Sequence, residues 1–477
     1  MNYRMVINVL GWILIFEALF MVVPVITAIV YGESAFWAFL AVAAFCLVAG
    51  KLITHKKPEN KVLYSREGFV IVSLSWILLS FFGALPYVIS GAIPSFTDAL
   101  FESVSGFTTT GASILSDVES LPRSVLMWRS FSHWVGGMGV LVFIMAFLPL
   151  SGGQNMHIMK AESAGPSVGK LVPRVKTTAL LLYTIYFVLT VVQFIVLIIA
   201  GMTVFDALNT AFATAGTGGF GIMNTSMGGY PVHIQIIVTV FMVLFSINFN
   251  CYFLLLKGKL RNAFNTELRV FLIIFAVSSA LIAINISGMY DTIGEAVNHA
   301  SFTVASIMST SGFSTTDYNL WPELSRVIVA ILMFVGACAG STCGGIKVSR
   351  FIILFKGLKK ELQLMIHPKQ IKKIKIDSHE LEHSTIRSVN VYIVCYVVVF
   401  AVSLLFISFD NHDLVTNFTA VSATMNNTGP GLGLVGPASN FGFFSDPMKF
   451  VLIFDMLAGR LELFPMLLLF TPGTWKK

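Results

Sequence analysis

The sequence predicts an all-α integral membrane protein in which two N-terminal helices precede four pseudo-symmetric repeats arranged about a common axis. The membrane prediction rests on composition, because 56% of the 477 residues are hydrophobic and only 12% are charged. Soluble domains carry about 25% charged residues, so a soluble globular protein is excluded. The repeats rest on a loop containing Thr or Ser followed by Gly, which recurs four times between apolar segments.

Eight apolar runs account for the helices that are predicted to cross the membrane. Most of them have the length of about 17–25 residues that crossing a bilayer requires. The first run is too long for the apolar region of a cleaved signal peptide, so we expect it to remain as a helix. The runs lie at 6–30, 70–90, 178–200, 236–256, 270–286, 327–339, 389–409 and 450–470.

Basic residues are distributed unequally between the two sides of the predicted membrane protein. Most of the 31 Lys and Arg residues fall in loops on one side. The positive-inside rule predicts that this side is cytoplasmic and that both termini lie there. We therefore expect a multi-pass protein of the cell inner (plasma) membrane, surrounded by membrane lipids. The net charge of +7 follows from this topology, so no nucleic-acid partner is expected.

Each repeat is predicted to contain an outer helix, a short pore helix, a loop and an inner helix. The pore helices are about 10–13 residues long, too short to span a bilayer, so the loops after them re-enter the membrane without crossing it. The predicted division is 1–66 for two extra helices and a cytoplasmic turn, 67–150 for repeat 1, 151–262 for a cytoplasmic connection and repeat 2, 267–360 for repeat 3, 361–384 for a basic cytoplasmic linker and 385–477 for repeat 4.

Matched spacing from pore helix to loop glycine supports true repetition. The spacing is ten positions in three repeats, from Phe101 to Gly111, Asn209 to Gly219 and Phe302 to Gly312. In the fourth repeat Phe418 to Gly429 is eleven, which leaves the register of that loop open by one residue. The predicted ion-binding filter comprises Thr109, Thr110, Gly111, Thr217, Gly218, Gly219, Thr310, Ser311, Gly312, Asn427, Thr428 and Gly429.

Glycine in all four loops indicates a filter made of backbone carbonyls. Glycine permits positive φ and close backbone approach, so that consecutive carbonyls can face one axis and replace the water around a cation. A pore for divalent ions is expected to carry a ring of acidic side chains, but Glu102 occurs in one repeat only. The pattern therefore favours a monovalent cation.

The third inner helix is predicted to be interrupted at 336–345. Four glycines and two hydroxyl residues stand there inside an apolar run, which makes a poor helix. We predict a flexible intramembrane loop that obstructs the pore below the third filter loop, and the alternative is a packing site of small residues. The loop residues of the predicted gate are Gly336, Gly340, Ser341, Thr342, Cys343, Gly344 and Gly345.

Arg460 lies in the last apolar run and is assigned to the same gate. A charge at this depth is costly, so it must face the interior and find partners. One interpretation makes Arg460 a barrier or gate partner in the pore. The other makes it half of a structural ion pair with Glu462 or Asp455, which lie nearby in the sequence.

Two features of the cytoplasmic side carry competing interpretations. The basic segment 356–387 is either a solvated loop or a docking surface for a soluble regulator. His379-Glu-Leu-Glu-His383 matches the H-E-x-x-H zinc-protease pattern but lies in a charged loop with no evident third ligand. A membrane enzyme is therefore the weaker hypothesis, and the protein is predicted not to be an enzyme.

Four segments resemble the Trk/Ktr/HKT superfamily of potassium transporters, most closely its bacterial TrkH branch. They read ESVSGFTTTGA at 102–112, AGSTCGGIK at 339–347, NNTGPGLG at 426–433 and GRLELF at 459–464. The resemblance covers nearly the whole chain. It implies four repeats around a central pore, a potassium filter at the four loop glycines, a gating loop at 336–345 and a pore arginine at Arg460. Cys343 stands where the family usually has glycine.

The same resemblance implies the transported ion and the partners. Family members with serine at the first filter glycine tend to favour sodium, so Gly111 points to K⁺, with no tightly bound cofactor. The family also implies a homodimer, each protomer with its own pore, bound to cytosolic nucleotide-binding RCK regulatory subunits of the TrkA type. The sequence leaves two modes of transport open, a passive pore and symport of K⁺ with Na⁺ or H⁺.

Overall fold

A computed structural model of the chain describes residues 1–56, 58, 63–139, 175–370, 373–377 and 379–475. In these ranges the chain is almost wholly helical, and its β-structure there is one two-stranded sheet and an isolated bridge. The cytoplasmic connection predicted from 151 lies outside the described residues as far as 174, as does the end of repeat 1 from 140. The predicted all-α fold class is confirmed.

The N-terminal region forms α1 (Tyr3–Phe20), α2 (Val22–Tyr31) and α3 (Phe36–His55). The first predicted helix is observed as one apolar segment, Tyr3–Tyr31, in which the single residue Met21 separates α1 from α2. Pro24 lacks the N–H that would continue the helical ladder across this point. The helices α1 and α3 pack closely, because a Cβ at Gly50 would lie 2.7 Å from the carbonyl oxygen of Gly11.

The four repeats follow in the predicted order of outer helix, pore helix and inner helix. Repeat 1 contains α4 (Ser65–Ile89), α5 (Phe96–Phe107) and α6 (Arg123–Gly137). Repeat 2 contains α7 (Val175–Ile199), α8 (Val204–Gly216), α9 (Val232–Ser246) and α10 (Phe249–Leu256), and it is followed by the short α11 (Leu260–Ala263).

Repeats 3 and 4 are joined by the linker that was predicted to be cytoplasmic, and it contains the sheet. Repeat 3 contains α12 (Thr266–Ile286), α13 (Ile293–Met308), α14 (Glu323–Leu332) and α15 (Val348–Ile366). The antiparallel strands β1 (Lys375–Ile376) and β2 (His379–Glu380) pair Lys375 with Glu380. Repeat 4 contains α16 (His383–Ile407), α17 (Leu414–Met425), α18 (Asp446–Arg460), α19 (Phe464–Leu469) and α20 (Pro472–Trp475).

Among the described residues, six segments are long and apolar enough to cross a bilayer. They are the two N-terminal segments and the four outer helices, at Tyr3–Tyr31, Phe36–His55, Ser65–Ile89, Ala179–Ile199, Thr266–Met289 and His383–Asp410. Large apolar side chains on the outer helices face outward, for example Ile199, Ile284 and Leu405, each more than 70% exposed. This surface suits lipid, and the protein is a multi-pass membrane protein.

The inner helices are interrupted in repeats 2 and 4 as well as in the third, and in repeat 1 the described residues stop at 139. Helix α6 ends at Gly137, α9 and α10 meet at a 90° bend, residues 333–347 separate α14 from α15, and residues 461–463 separate α18 from α19. The continuous helices expected from the runs 236–256 and 450–470 are therefore wrong. Apolar composition does not reveal these breaks, whereas the Asn248 side chain marks one of them by capping α10.

Each pore helix begins at a side chain that caps its free amides, which defines the register of the repeats. The caps are Ser95, Thr203, Thr292 and Asp413. The cap precedes the loop glycine by sixteen positions in repeats 1, 2 and 4 and by twenty in repeat 3, whose pore helix is a turn longer. The residue ten positions before Gly429 is Thr419, so the alignment of Phe418 with Phe101 is one residue out.

Candidate ion-conduction site

The four loops after the pore helices share one backbone conformation. In each loop a Thr or Asn has φ of 53–56°, and the glycine two positions later has φ of 73–93°. Positive φ is unfavourable for a residue with a Cβ, so its recurrence at four equivalent positions reflects a common constraint. The paired positions are Thr109 and Gly111, Thr217 and Gly219, Thr310 and Gly312, and Asn427 and Gly429.

The loop glycines also show that the four loops close into a ring. A Cβ placed on any of them would meet the carbonyl oxygen of the middle residue of the next loop. The separations would be 1.9 Å from Gly111 to Gly218, 1.7 Å from Gly219 to Ser311, 2.5 Å from Gly312 to Thr428 and 2.8 Å from Gly429 to Thr110. The contacts run from repeat 1 through repeats 2, 3 and 4 and back to repeat 1. All twelve predicted filter residues therefore surround one axis.

The side chains of the ring are buried, and a cavity adjoins it. The side chains of Thr109, Thr217, Thr310 and Asn427 are fully buried. Asn427 Nδ2 donates to Thr110 Oγ1 at 2.9 Å, which joins the fourth loop to the first. A cavity of about 140 Å³ adjoins the ring, and its lining includes Gly111, Gly219, Gly312 and Pro430, one residue from each repeat. The four loops therefore share one cavity.

The predicted gating loop lies directly against the ring. Gly344 N donates to Thr310 Oγ1 at 2.8 Å, below the third filter loop. A Cβ at Gly344 would also lie 2.5 Å from the carbonyl oxygen of Asn426, which follows the fourth pore helix. The buried ammonium of Lys347 donates to the carbonyls of Cys343 and Gly344 and so holds the loop in a folded form.

Arg460 connects the gating loop to two inner helices. It is the last residue of α18, and its guanidinium donates to the carbonyl oxygens of Thr342 at 2.8 Å, Gly136 at 2.5 Å and Gly137 at 2.7 Å. Gly136 and Gly137 end α6, where free carbonyls and the helix dipole favour a cation. The guanidinium therefore bridges repeats 1, 3 and 4 next to the ring.

The carboxylates considered as structural partners of Arg460 have other partners. Glu462 pairs with Arg350, whose guanidinium also lies 3.8 Å from the centre of the Tyr392 ring. Asp455 accepts a hydrogen bond from Ser403 Oγ at 2.6 Å. The assignment of Arg460 to the gate stays a prediction, and Arg460 donates hydrogen bonds to backbone carbonyls of the loop and of α6.

Comparisons with known proteins identify the family of the chain. A family model described as "TrkH: Cation transport protein" matches residues 35–476. The chain belongs to the TrkH family. The resemblance to the TrkH branch is therefore confirmed.

Relatives and a solved structure cover the whole TrkH-family chain. It is 37% identical to the Trk system potassium uptake protein TrkH of Salmonella typhimurium, over 100% of both chains. It is 34% identical to the Trk system potassium uptake protein TrkG of Escherichia coli, over 100% of this chain and 99% of that one. The crystal structure of the potassium transporter TrkH from Vibrio parahaemolyticus superposes with a TM-score of 0.90 at 34% identity, over 100% of both chains.

A buried ion pair behind the first two filter loops escaped the sequence analysis. Glu102, in the first pore helix, accepts from Arg129 Nε at 2.8 Å and from Ile114 N at 3.1 Å. Arg129 donates onward to the carbonyl oxygen of Gly221 at 3.2 Å, and its guanidinium lies 4.1 Å from the centre of the Phe220 ring. The pair therefore supports the loops of repeats 1 and 2. The sequence feature that could have predicted it is the presence of two charged residues within apolar segments.

Replacing Arg129 by methionine is expected to destabilise the TrkH-family fold strongly. The change leaves Glu102 buried without its cation, and breaking such a pair costs about 3–5 kcal/mol. Thermal unfolding in detergent micelles measures the loss. The double variant Glu102→Gln/Arg129→Met removes both charges and should unfold at a higher temperature than Arg129→Met. Equal stability of Arg129→Met and the unaltered protein would show that the pair has no supporting role.

His133 forms a second brace between repeats 1 and 2. Its Nδ1 lies 2.7 Å from the carbonyl oxygen of Gly106, and its Nε2 accepts from Phe220 N at 3.2 Å. These partners assign the proton to Nδ1, which donates to Gly106. A Cβ on Gly218 would collide with the imidazole at 2.2 Å, so glycine at this filter position lets the histidine support the loop.

The zinc-protease pattern does not form a helical site. His379 belongs to strand β2, and His383 is the first residue of α16. The motif needs both histidines on one face of one helix, and this segment is not one helix. Within the described ranges, no cluster of three or more His, Cys, Asp or Glu residues is arranged to hold a metal ion.

Proposed function

We propose that this protein is a potassium uptake transporter in which K⁺ passes through the ring of four filter loops. The observation that carries the proposal is the closed series of glycine contacts from Gly111 around to Thr110. The printed names of the TrkH and TrkG relatives, which describe potassium uptake proteins, support the choice of ion. On this proposal the chain transports an ion and catalyses no covalent reaction.

Selection would come from carbonyl oxygens that replace the water around K⁺. The residues with positive φ fix the direction of these carbonyls, and the ring holds no acidic side chain of its own among the twelve filter residues. The pore helices end at the ring, where their dipoles add negative potential that favours a cation. Both features suit a monovalent ion, because neutral carbonyls hold it weakly enough to release it.

The loop at 336–345 would act as the gate, with the structure representing its closed arrangement. Arg460 places a positive charge beside the path of the ion, and its bond to Thr342 O holds the loop in place. Opening would require that this bond and the contact of Gly344 with Thr310 break together. Small residues in the loop allow such a change of backbone at little steric cost.

The proposal also covers where the protein lies in the cell and which partners regulate it. We place the chain in the inner membrane with both termini in the cytoplasm, as a homodimer bound to cytosolic RCK subunits of the TrkA type. The basic cytoplasmic segment 356–387 would provide the docking surface, where Lys373 and Lys375 are exposed. A nucleotide would then act through the partner.

Cation uptake by liposomes tests this function directly. Purified protein and a loop-shortened variant that lacks 338–344 are reconstituted, and uptake of K⁺, Na⁺ and Li⁺ is compared under imposed gradients. We expect the loop-shortened variant to take up K⁺ in preference to the other ions and without a Na⁺ or pH gradient.

Two results would change the conclusion. Uptake of K⁺ that depends on a Na⁺ or H⁺ gradient would replace the passive pore by symport. A folded loop-shortened variant that takes up no cation, or that does not prefer K⁺, would overturn the proposed function. Empty liposomes treated with valinomycin show that the assay detects K⁺ entry.

A further inference from the structure

One carboxylate binds both the intramembrane loop and the helix that follows it. Glu267 is the second residue of α12 and is largely buried. Its Oε1 accepts from Ala339 N at 2.8 Å and from Ser349 N at 3.0 Å. Ala339 lies within the loop, and Ser349 lies in the first turn of α15, directly after it. Hydrogen bonds to an ionised acceptor are about twice as strong as neutral ones, so Glu267 is a firm anchor.

The position of Glu267 also matches the electrostatics of the neighbouring helix. Ser349 N is one of the amides at the start of α15 that have no partner within that helix. The positive end of the helix dipole favours a carboxylate there. Helix α15 has no side-chain cap of its own at Lys347, and Glu267 from another helix satisfies one of its amides.

The residue before Glu267 is held by the cytoplasmic hairpin. Asp377 lies at the turn between β1 and β2 with φ of 48°. Its Oδ1 accepts from Thr266 N at 2.9 Å and from Thr266 Oγ1 at 2.5 Å. The side chain of Asn265 caps α12 at Leu268 N, and the hairpin tip adds a second cap at Thr266, beside the residue that anchors the loop.

The hairpin also contacts the other helix that flanks the loop. Lys356 Nζ, on α15, donates to the carbonyl oxygen of Lys375 in β1 at 2.6 Å. Across the hairpin, Lys373 Nζ donates to Glu380 Oε2 at 2.7 Å, and this bond lowers the pKa of the Glu380 carboxyl. The hairpin is thus a small folded unit that joins α12 to α15 on the cytoplasmic side.

We infer that Glu267 is a positioning residue for the intramembrane loop and that Asp377 couples the cytoplasmic hairpin to it through Thr266. This inference rests on the proposed gate. A force that withdraws the hairpin from α12 removes the cap at Thr266 and frays the first turn of the helix. Glu267 lies in that turn, so its bonds to Ala339 and Ser349 weaken and the loop is released. By reciprocity, release of the loop loosens the hairpin.

The experiment combines hydrogen exchange of the loop with cation uptake. Exchange is followed by mass spectrometry on peptides covering 333–349 of the full-length protein, for Glu267→Ala, Glu267→Gln, Asp377→Ala and the double variant Glu267→Ala/Asp377→Ala. Glu361→Ala, an exposed carboxylate on α15, is the matched control. We expect about tenfold faster exchange in Glu267→Ala, a smaller increase in Asp377→Ala, and no increase in the control.

Two comparisons separate coupling from a general loss of structure. Glutamine keeps an acceptor oxygen at the same place, so Glu267→Gln should restore most of the protection of the loop. If Asp377 acts through Glu267, the double variant should exchange no faster than Glu267→Ala. Uptake of K⁺ should rise in the same order as exchange.

The outcomes distinguish this inference from the gate itself. Unchanged exchange of 333–349 in Glu267→Ala would overturn the anchoring role, whatever the uptake. Additive effects of the two alanine substitutions would overturn the coupling through Asp377. Faster exchange with unchanged uptake, together with unchanged uptake in the variant lacking 338–344, would instead reject the proposed gate and leave the anchor standing. If Glu267→Ala does not fold, Glu267→Gln and Asp377→Ala decide the question in the same assay.

Discussion

Gly111→Ser is expected to reduce the preference for K⁺ over Na⁺ by about tenfold or more, equivalent to about 1.4 kcal/mol in relative binding. The added Cβ would lie 1.9 Å from the carbonyl oxygen of Gly218, so backbone of the second loop must move. Position 111 also has φ of 79°, which serine adopts only under strain. Both effects displace carbonyls that would bind the ion. Uptake of K⁺ and Na⁺ into liposomes, measured in the loop-shortened background, gives the ratio.

Gly288→Ala is the matched control for this substitution. A Cβ at Gly288 has no neighbour within 4 Å, and the residue does not have positive φ. Its selectivity should equal that of the unaltered chain. A Gly111→Ser variant that folds and keeps its full preference for K⁺ would show that the ring at Gly111 does not select the ion.

Arg460→Ala is expected to increase K⁺ uptake several-fold. The substitution removes the bonds to the carbonyl oxygens of Thr342, Gly136 and Gly137, and it also removes a positive charge beside the ion path. Deletion of 338–344 should raise uptake further, because it removes the obstruction itself. Initial rates of K⁺ uptake at equal protein content measure both effects.

The conservative variant Arg460→Lys separates charge from bonding. Lysine keeps the charge but lacks the planar group that reaches three carbonyls, so an intermediate rate is expected. Arg326→Ala, which breaks a pair on the protein surface, should leave the rate unchanged. Loss of folding in both Arg460 variants, or unchanged uptake in a folded Arg460→Ala, would assign Arg460 to structure and not to the gate.

The sequence was sufficient to predict much of the fold because membranes impose simple rules. Apolar runs of the required length located the outer helices, and the recurring glycines located the loops after the pore helices. It failed where local composition says nothing about a break, as at Ile247 between α9 and α10. It also left the fourth register open by one residue, because Phe418 resembles Phe101 in type but Thr419 is the residue at the equivalent position from the cap.

The candidate site was predictable in its backbone and not in its supporting side chains. Gly111 and its three counterparts were found because close approach requires glycine and because the same loop recurs four times. Glu102 with Arg129, and Glu267 with the loop, were not found in their roles, because each joins segments that are distant in the chain. Charged residues in apolar segments indicate that each must have a buried partner. Only the packing of the helices shows which residue that partner is.

The sequence by itself determined the membrane class, the fourfold repeat and the positions of the four loop glycines, because hydrophobic length and positive φ are local requirements. The tertiary structure decided which carbonyl each glycine faces, which carbonyls Arg460 binds and how Glu267 holds the loop. These contacts join different repeats, and a buried polar group is satisfied by whatever partner the fold brings within about 3 Å. No sequence pattern within one repeat shows which groups of another repeat will lie within that distance.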